Sequence, residues 1–277
     1  MNDKLIALVN QMPQADAKRI LGTVDKEAVD KALAEILQGG KDNVVGLVAL
    51  LVEPGKGDDG KARYALHALA VAVCKPQDAK QRAMLVEALA GSLGGDRPKD
   101  VQAFVVRQLQ IAGSKDAAPA LGKLLLDAEL CEFAAQALLA IKDGAAEQFR
   151  AALPKAGKQN VTIIQALGVL RDTASAEPLK GFVGDKDRDC RLASAWALAN
   201  MGDAGSVDLL LKAADRDKEG YERIKATQSC LLLAEQLLAA GKKKEAARIY
   251  THLKDTRTEP TEKHIKEAAT KGLATAS

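Results

Sequence analysis

The chain has 277 residues, 47% of them hydrophobic and only 3% aromatic, with 40 basic against 37 acidic side chains and a formal net charge of +3. That near-neutral balance disfavours a dedicated nucleic-acid protein, whose strongly basic face would show in the total. No run reaches the ~18 consecutive apolar residues of a membrane helix. The apolar content is mostly Ala, Leu, Val and Ile, and Ala and Leu are strong helix formers, so the expectation is an all-α protein.

Residues 3–12, 16–21 and 25–37 read as three short helices, with Asp25 as an N-cap and Gly39-Gly40 as a stop. The apolar run 44–52 ends at Pro54-Gly55, and a polar loop over 54–61 follows. Helices are expected over 61–74, closed by Pro76, and over 77–93, closed by Gly94-Gly95. From Lys99 the chain becomes regular. Leu109, Leu138, Leu167 and Leu198, spaced 29, 29 and 31 residues apart, each sit in an Ala-rich run. A turn signal follows each leucine: Gly113-Ser114, Asp143-Gly144, Asp172-Thr173 and Gly202-Asp203. A second helix follows each turn, over 117–126, 145–153, 176–183 and 206–214. Beyond these, 231–240 and 243–253 form a hairpin, and Pro260 opens a last helix rich in Lys and Glu.

A period of roughly 20 to 50 residues marks a solenoid, because one helix pair cannot bury both of its apolar faces and neighbours must stack. The expected architecture is a right-handed α-solenoid of antiparallel helix pairs forming one domain over 1–277. Its parts are an irregular section over 1–98, regular repeats over 99–215 and capping helices over 216–277.

The units resemble HEAT-like repeats of the short kind noted in phycobilisome lyases. The resemblance rests on Asp187-Arg188-Asp189-Cys190-Arg191, Ala195-Trp196-Ala197-Leu198, Met201-Gly202-Asp203 and residues 207–211, and it recurs in Ala166-Leu167-Gly168-Val169-Leu170-Arg171-Asp172 with 176–179. Leu237, Gly241, Glu245-Ala246, Tyr250 and Leu253 resemble a tetratricopeptide hairpin. The resemblance implies a fold more than an activity: such proteins are mostly protein-binding scaffolds, while some are bilin lyases, DNA glycosylases or metal-dependent hydroxylases.

Several chemistries can be weighed against the residues. Gly55-Lys56-Gly57-Asp58-Asp59-Gly60-Lys61 fits G-x-x-x-x-G-K, but Ala62 stands where Ser or Thr would hold magnesium, and Asp58 and Asp59 would repel phosphate. The three histidines, His67, His252 and His264, are scattered and none precedes Glu, which argues against a metal site. The cysteines Cys74, Cys131, Cys190 and Cys230 form no CxxC, fall on expected helices and read as buried apolar residues. Free thiols and a start, over 1–13, without a signal-peptide pattern point to the cytoplasm. Basic residues on the second helices (Lys123, Arg150, Lys180, Lys212, Lys244, Arg248) would make a ladder for phosphates, but Glu177 and Asp208 are interleaved and aromatic rings for base stacking are scarce. Trp196, the lone tryptophan, reads as core. The same scarcity of rings weighs against a bilin lyase.

The functional expectation is a monomeric, non-catalytic protein-interaction scaffold with no cofactor and no metal. A concave face of second helices would bind the partner through Lys123, Arg150, Glu177, Lys180, Asp208 and Lys212. A second contact patch is expected at the Gly-rich loop, from Lys56, Lys61, Arg63 and Tyr64. Sequence-independent nucleic-acid binding is the alternative.

Overall fold

Apolar residues recurring every three or four positions give each helix one stripe to bury, and the computed structural model, which describes residues 3–14, 24–216 and 220–276, is helical throughout. Among the described residues there is no strand. The expected helix over 16–21 lies outside them.

The chain divides into two compact units, Met1–Gln148 and Phe149–Ser277. The first holds α1 (Asp3–Val9), α2 (Lys26–Gln38), α3 (Gly40–Ala49), α4 (Gly60–Ala72), α5 (Ala79–Gly91), α6 (Lys99–Ala112), α7 (Ala118–Leu124) and α8 (Cys131–Ile141). Here α4, α6 and α8 stack in order as first helices, and α3, α5 and α7 stack beside them as second helices. Helix α9 (Ala145–Ala152) spans the boundary in sequence. The second unit holds α10 (Asn160–Val169), α11 (Ala176–Phe182), α12 (Arg188–Met201), α13 (Val207–Ala214), α14 (Tyr221–Ala239), α15 (Lys243–Thr256) and α16 (Lys263–Ala276). In it α10, α12 and α14 stack as first helices, α13 packs on α14 and α15, and α16 lies on α15. Asp25 caps α2 as expected, its Oδ1 accepting from the Ala28 N–H at 3.1 Å.

The four repeat leucines, Leu109, Leu138, Leu167 and Leu198, are fully buried. The residue four positions after three of them turns the chain: Lys142, Arg171 and Gly202 have φ of 65°, 51° and 71°. Only Gly202 among these lacks a Cβ to strain that conformation. The turn acid then folds the entry to the second helix. Ser175 and Ser206 are buried, and their N–H groups donate to the Asp172 and Asp203 carbonyls at 3.0 Å.

Neighbouring first helices approach closely where small residues permit. A Cβ at Gly168 of α10 would lie 2.7 Å from Trp196 Cζ3 and 2.9 Å from Ala197 Cα on α12. Arginines also lie over rings of the next first helix: Arg63 over Phe104, Arg107 over Phe133 and Arg188 over Tyr221, at 4.7, 5.1 and 5.8 Å.

Two sequence expectations are corrected. Helix α14 begins at Tyr221, ten residues before the expected start. Its early turns place Thr227 and Ser229 at buried positions, so the apolar stripe that announces a helix is missing there. Cys131, Cys190 and Cys230 are buried, but Cys74 is exposed. It sits in a turn two residues beyond α4, with its thiol donating to the Ala70 carbonyl at 3.2 Å.

Candidate functional site: a charged groove on the second helices

The expected basic ladder divides by what each cation already touches. Arg150 on α9 pairs with the turn acid Asp172. Lys180 on α11 pairs with Glu177 at 2.5 Å and with the turn acid Asp203 at 3.3 Å. The Glu177 bond is the largest influence on Lys180, whose pKa is held above the ordinary lysine value despite some desolvation. These cations therefore tie one repeat to the next. Lys123 on α7, in the first unit, is exposed and has no ionic partner among the described residues. Asp208 on α13 pairs with Arg248 on α15, both largely exposed. Lys212, one turn beyond Asp208, is exposed and has no acidic partner among the described residues.

Asp208 and Lys212 flank a groove of about 780 Å³ on the second helices, together with Arg216, Arg248 and His252. That volume falls within the ~300–1,000 Å³ range of ligand-binding clefts. Val183, Leu209, Leu211 and Ala213 supply its apolar lining. Arg216 donates to the Val183 carbonyl at 3.0 Å.

Asp215 also lines the groove. Its Oδ2 meets His252 Nε2 at 2.7 Å and its Oδ1 accepts from Arg257 Nη1 at 2.9 Å. Burial raises the Asp215 pKa, but the Arg257 hydrogen bond and the His252 charge outweigh it, so the carboxyl ionises below its usual range. Arg257 is wholly enclosed. It also donates to the Ala214 carbonyl at 3.0 Å, to Thr227 Oγ1 at 3.2 Å and to Thr256 Oγ1 at 2.8 Å. An enclosed guanidinium is tolerable only with such acceptors. The network fixes α13, α14 and α15 together and so sets the groove's walls.

The loop residues expected to bind a partner are differently placed. Lys61 donates to the Asn10 carbonyl at 2.8 Å. Arg63 pairs with Asp59 at 2.8 Å and donates to the Val52 carbonyl at 3.0 Å. Asp59 Oδ2 accepts the Val52 N–H at 2.9 Å. Both cations thus fasten the loop to its own unit, while Lys56 is exposed and Tyr64 half-buried. Arg63 and His67 share a face of α4 as their spacing requires: the first lies over Phe104 and the second meets Gln108 Oε1 at 3.2 Å, both on α6.

Sequence reasoning missed His252, Arg216 and Asp215 as groove residues. Arg216 and His252 lie 36 positions apart on consecutive helix pairs, and no local motif joins them. It also missed a second cleft of about 510 Å³ on the first helices, lined by Trp196, Tyr221, Leu192 and Gln165 among others. Trp196 is half-buried, so its ring serves both packing and that cleft's wall. Among the described residues no group of three or more His, Cys, Asp or Glu could hold a metal ion, and no helix is long and apolar enough to cross a membrane.

Comparison with known proteins places these observations. Residues 146–230 match the family model of HEAT repeats. No curated protein sequence matches the chain. Among solved structures, an engineered protein is 22% identical, with 100% of this chain and 89% of that one covered and a TM-score of 0.42. A complex of phycocyanin lyase from Nostoc is 19% identical, covering 84% of this chain and 91% of that one, with a TM-score of 0.36. Human deoxyhypusine hydroxylase is 15% identical, covering 98% and 96%, with a TM-score of 0.35.

Proposed function

We propose that this HEAT-like repeat protein is a non-catalytic scaffold that docks a partner protein on the face of its second helices. HEAT repeats generally serve protein interaction. The observation that carries the reading is the groove between α13 and α15, which combines an apolar lining (Val183, Leu209, Leu211) with charges at its edge (Asp208, Lys212, Arg248). Docked polypeptide needs both: apolar area supplies affinity, and charges at the rim select the partner and its register. Arg150, Glu177 and Lys180 extend the contact along other second helices of the same unit, and Lys123 on α7 of the first unit is a separate contact. The patch of Lys56, Lys61, Arg63 and Tyr64 is a separate contact.

The test is affinity capture from native lysate with nuclease-treated and untreated arms. The wild type is compared with Leu209→Trp, which fills the groove, and with Tyr221→Ala on the first helices. A stoichiometric protein that survives nuclease, is lost with Leu209→Trp and is kept with Tyr221→Ala supports the reading. Captured material that vanishes with nuclease, or a partner indifferent to Leu209→Trp, refutes it.

A further inference from the structure

The groove on α13 and α15 carries more than a docking surface, because the charges of its described residues do not cancel. Asp208 neutralises Arg248. Asp215 is neutralised by the enclosed Arg257. That leaves Lys212 and Arg216, both exposed and without acidic partners among the described residues, lining the same groove. Elsewhere on the second helices of this unit, Arg150 and Lys180 are already tied to the turn acids Asp172 and Asp203. Lys212 and Arg216 are thus two cations without an acidic partner, among the described residues, that line one groove; Lys244 on α15 is also exposed but does not line it.

The Arg248–Asp208 pair adds no net charge but is loosely held. Its two side chains are 60% and 70% exposed. An exposed pair of this kind is held by little energy, so Arg248 can turn to a carboxylate arriving from outside at small cost.

We infer that the groove receives an acidic segment of a partner protein, in which Asp or Glu side chains alternate with apolar ones. This rests on the scaffold reading and adds the chemical class of the partner. The acidic side chains meet Lys212, Arg216 and Arg248, and the apolar ones pack on Leu209, above a floor formed by the largely buried Leu211 and Val183. The apolar lining separates a peptide from the other polyanion that such charge attracts, a nucleic acid. Single strands bind by stacking bases on aromatic rings, and neither Phe, Tyr nor Trp lines the groove. A peptide makes use of Leu209 and Leu211, which a phosphate backbone does not.

The test uses the full chain and three fluorescein-labelled probes of equal length, read by fluorescence anisotropy: an alternating Glu–Leu peptide, its Lys–Leu counterpart and an oligothymidylate. The Glu–Leu peptide is expected to bind, and to weaken by about tenfold or more when Lys212→Glu and Arg216→Glu are combined. A control pair on α16, Lys263→Glu with Lys266→Glu, is expected to leave it unchanged. Circular dichroism checks that each variant is folded. Equal binding of the Lys–Leu peptide, tighter binding of the oligothymidylate, or indifference to the groove reversal overturns the inference. If a captured partner is lost with Leu209→Trp yet kept by the reversal, the acidic class fails while the scaffold reading stands.

Discussion

Gly168→Ala is the most informative single perturbation of the packing, because two effects of known size oppose each other. Gly168 lies within α10, and in an exposed helix interior Ala is more favourable than Gly by about 1 kcal/mol. Here the added Cβ would stand 2.7 Å from Trp196 Cζ3, 2.8 Å from Ala197 Cβ and 2.9 Å from Ala197 Cα. The tip of the indole ring has room to shift, since Trp196 is only half-buried. The Ala197 backbone yields only if α12 moves away from α10. Overpacking of that kind costs about 1–3 kcal/mol, and moving the helices also strains the bond from Asn200 Nδ2 to the Gly168 carbonyl, 3.0 Å long. Sterics win over most of that range, and the expected net effect is a loss of up to about 2 kcal/mol. Trp196 is the only tryptophan, so urea unfolding followed by its fluorescence reports from the contact itself. A midpoint raised in Gly168→Ala would refute the close approach of α10 and α12.

Other expectations follow from the same structure. Arg257→Met leaves the Ala214 carbonyl and the Thr227 hydroxyl without their enclosed donor, while the part-exposed Asp215 keeps His252; a loss of about 1–3 kcal/mol in urea unfolding is expected, and an unchanged midpoint would contradict the network. Lys142 turns the chain at φ 65° and ψ −52°, a conformation costly for any residue with a Cβ. Lys142→Gly should therefore raise the thermal midpoint. The carboxyls of Asp127 and Glu262 ionise below their usual range, chiefly through the hydrogen bonds from Lys99 and Arg223. A depressed folded-state pKa gives stability that is present above the unfolded-state value near 4 and lost as pH falls through the folded one. Stability measured from pH 6 downward should accordingly decline below about pH 4. Burial pushes the Cys190 and Cys230 thiols up to about 11 and about 12, while Cys74 alone is exposed. A thiol reagent at pH 8 should modify Cys74 quickly and the other three only on unfolding.

The repeat was legible because packing writes itself into sequence. Leu109, Leu138, Leu167 and Leu198 recur at one spacing, and all four are buried. The turn acids Asp172 and Asp203 mark the entry to α11 and α13 for the same reason. The start of α14 was not legible, since its buried face carries Thr227 and Ser229. The candidate groove was half legible. Asp208, Lys212 and Arg216 follow at four-residue steps along α13 and its end, but Arg248 and His252 join them only through stacking of helix pairs. The pairing state of a cation is likewise invisible in one dimension. Lys180 and Lys212 look alike in sequence, yet among the described residues one bridges two carboxylates and the other none.

The central claim is that a partner docks on the second helices, and site-specific photo-crosslinking tests it most directly. A photoreactive residue is placed at Lys212 in the groove or at Tyr221 on the first helices, and adducts are mapped by mass spectrometry. The account predicts a discrete partner adduct from position 212 that charge reversal at Arg216 weakens, and none from 221. Adducts from 221 with none from 212 would contradict it.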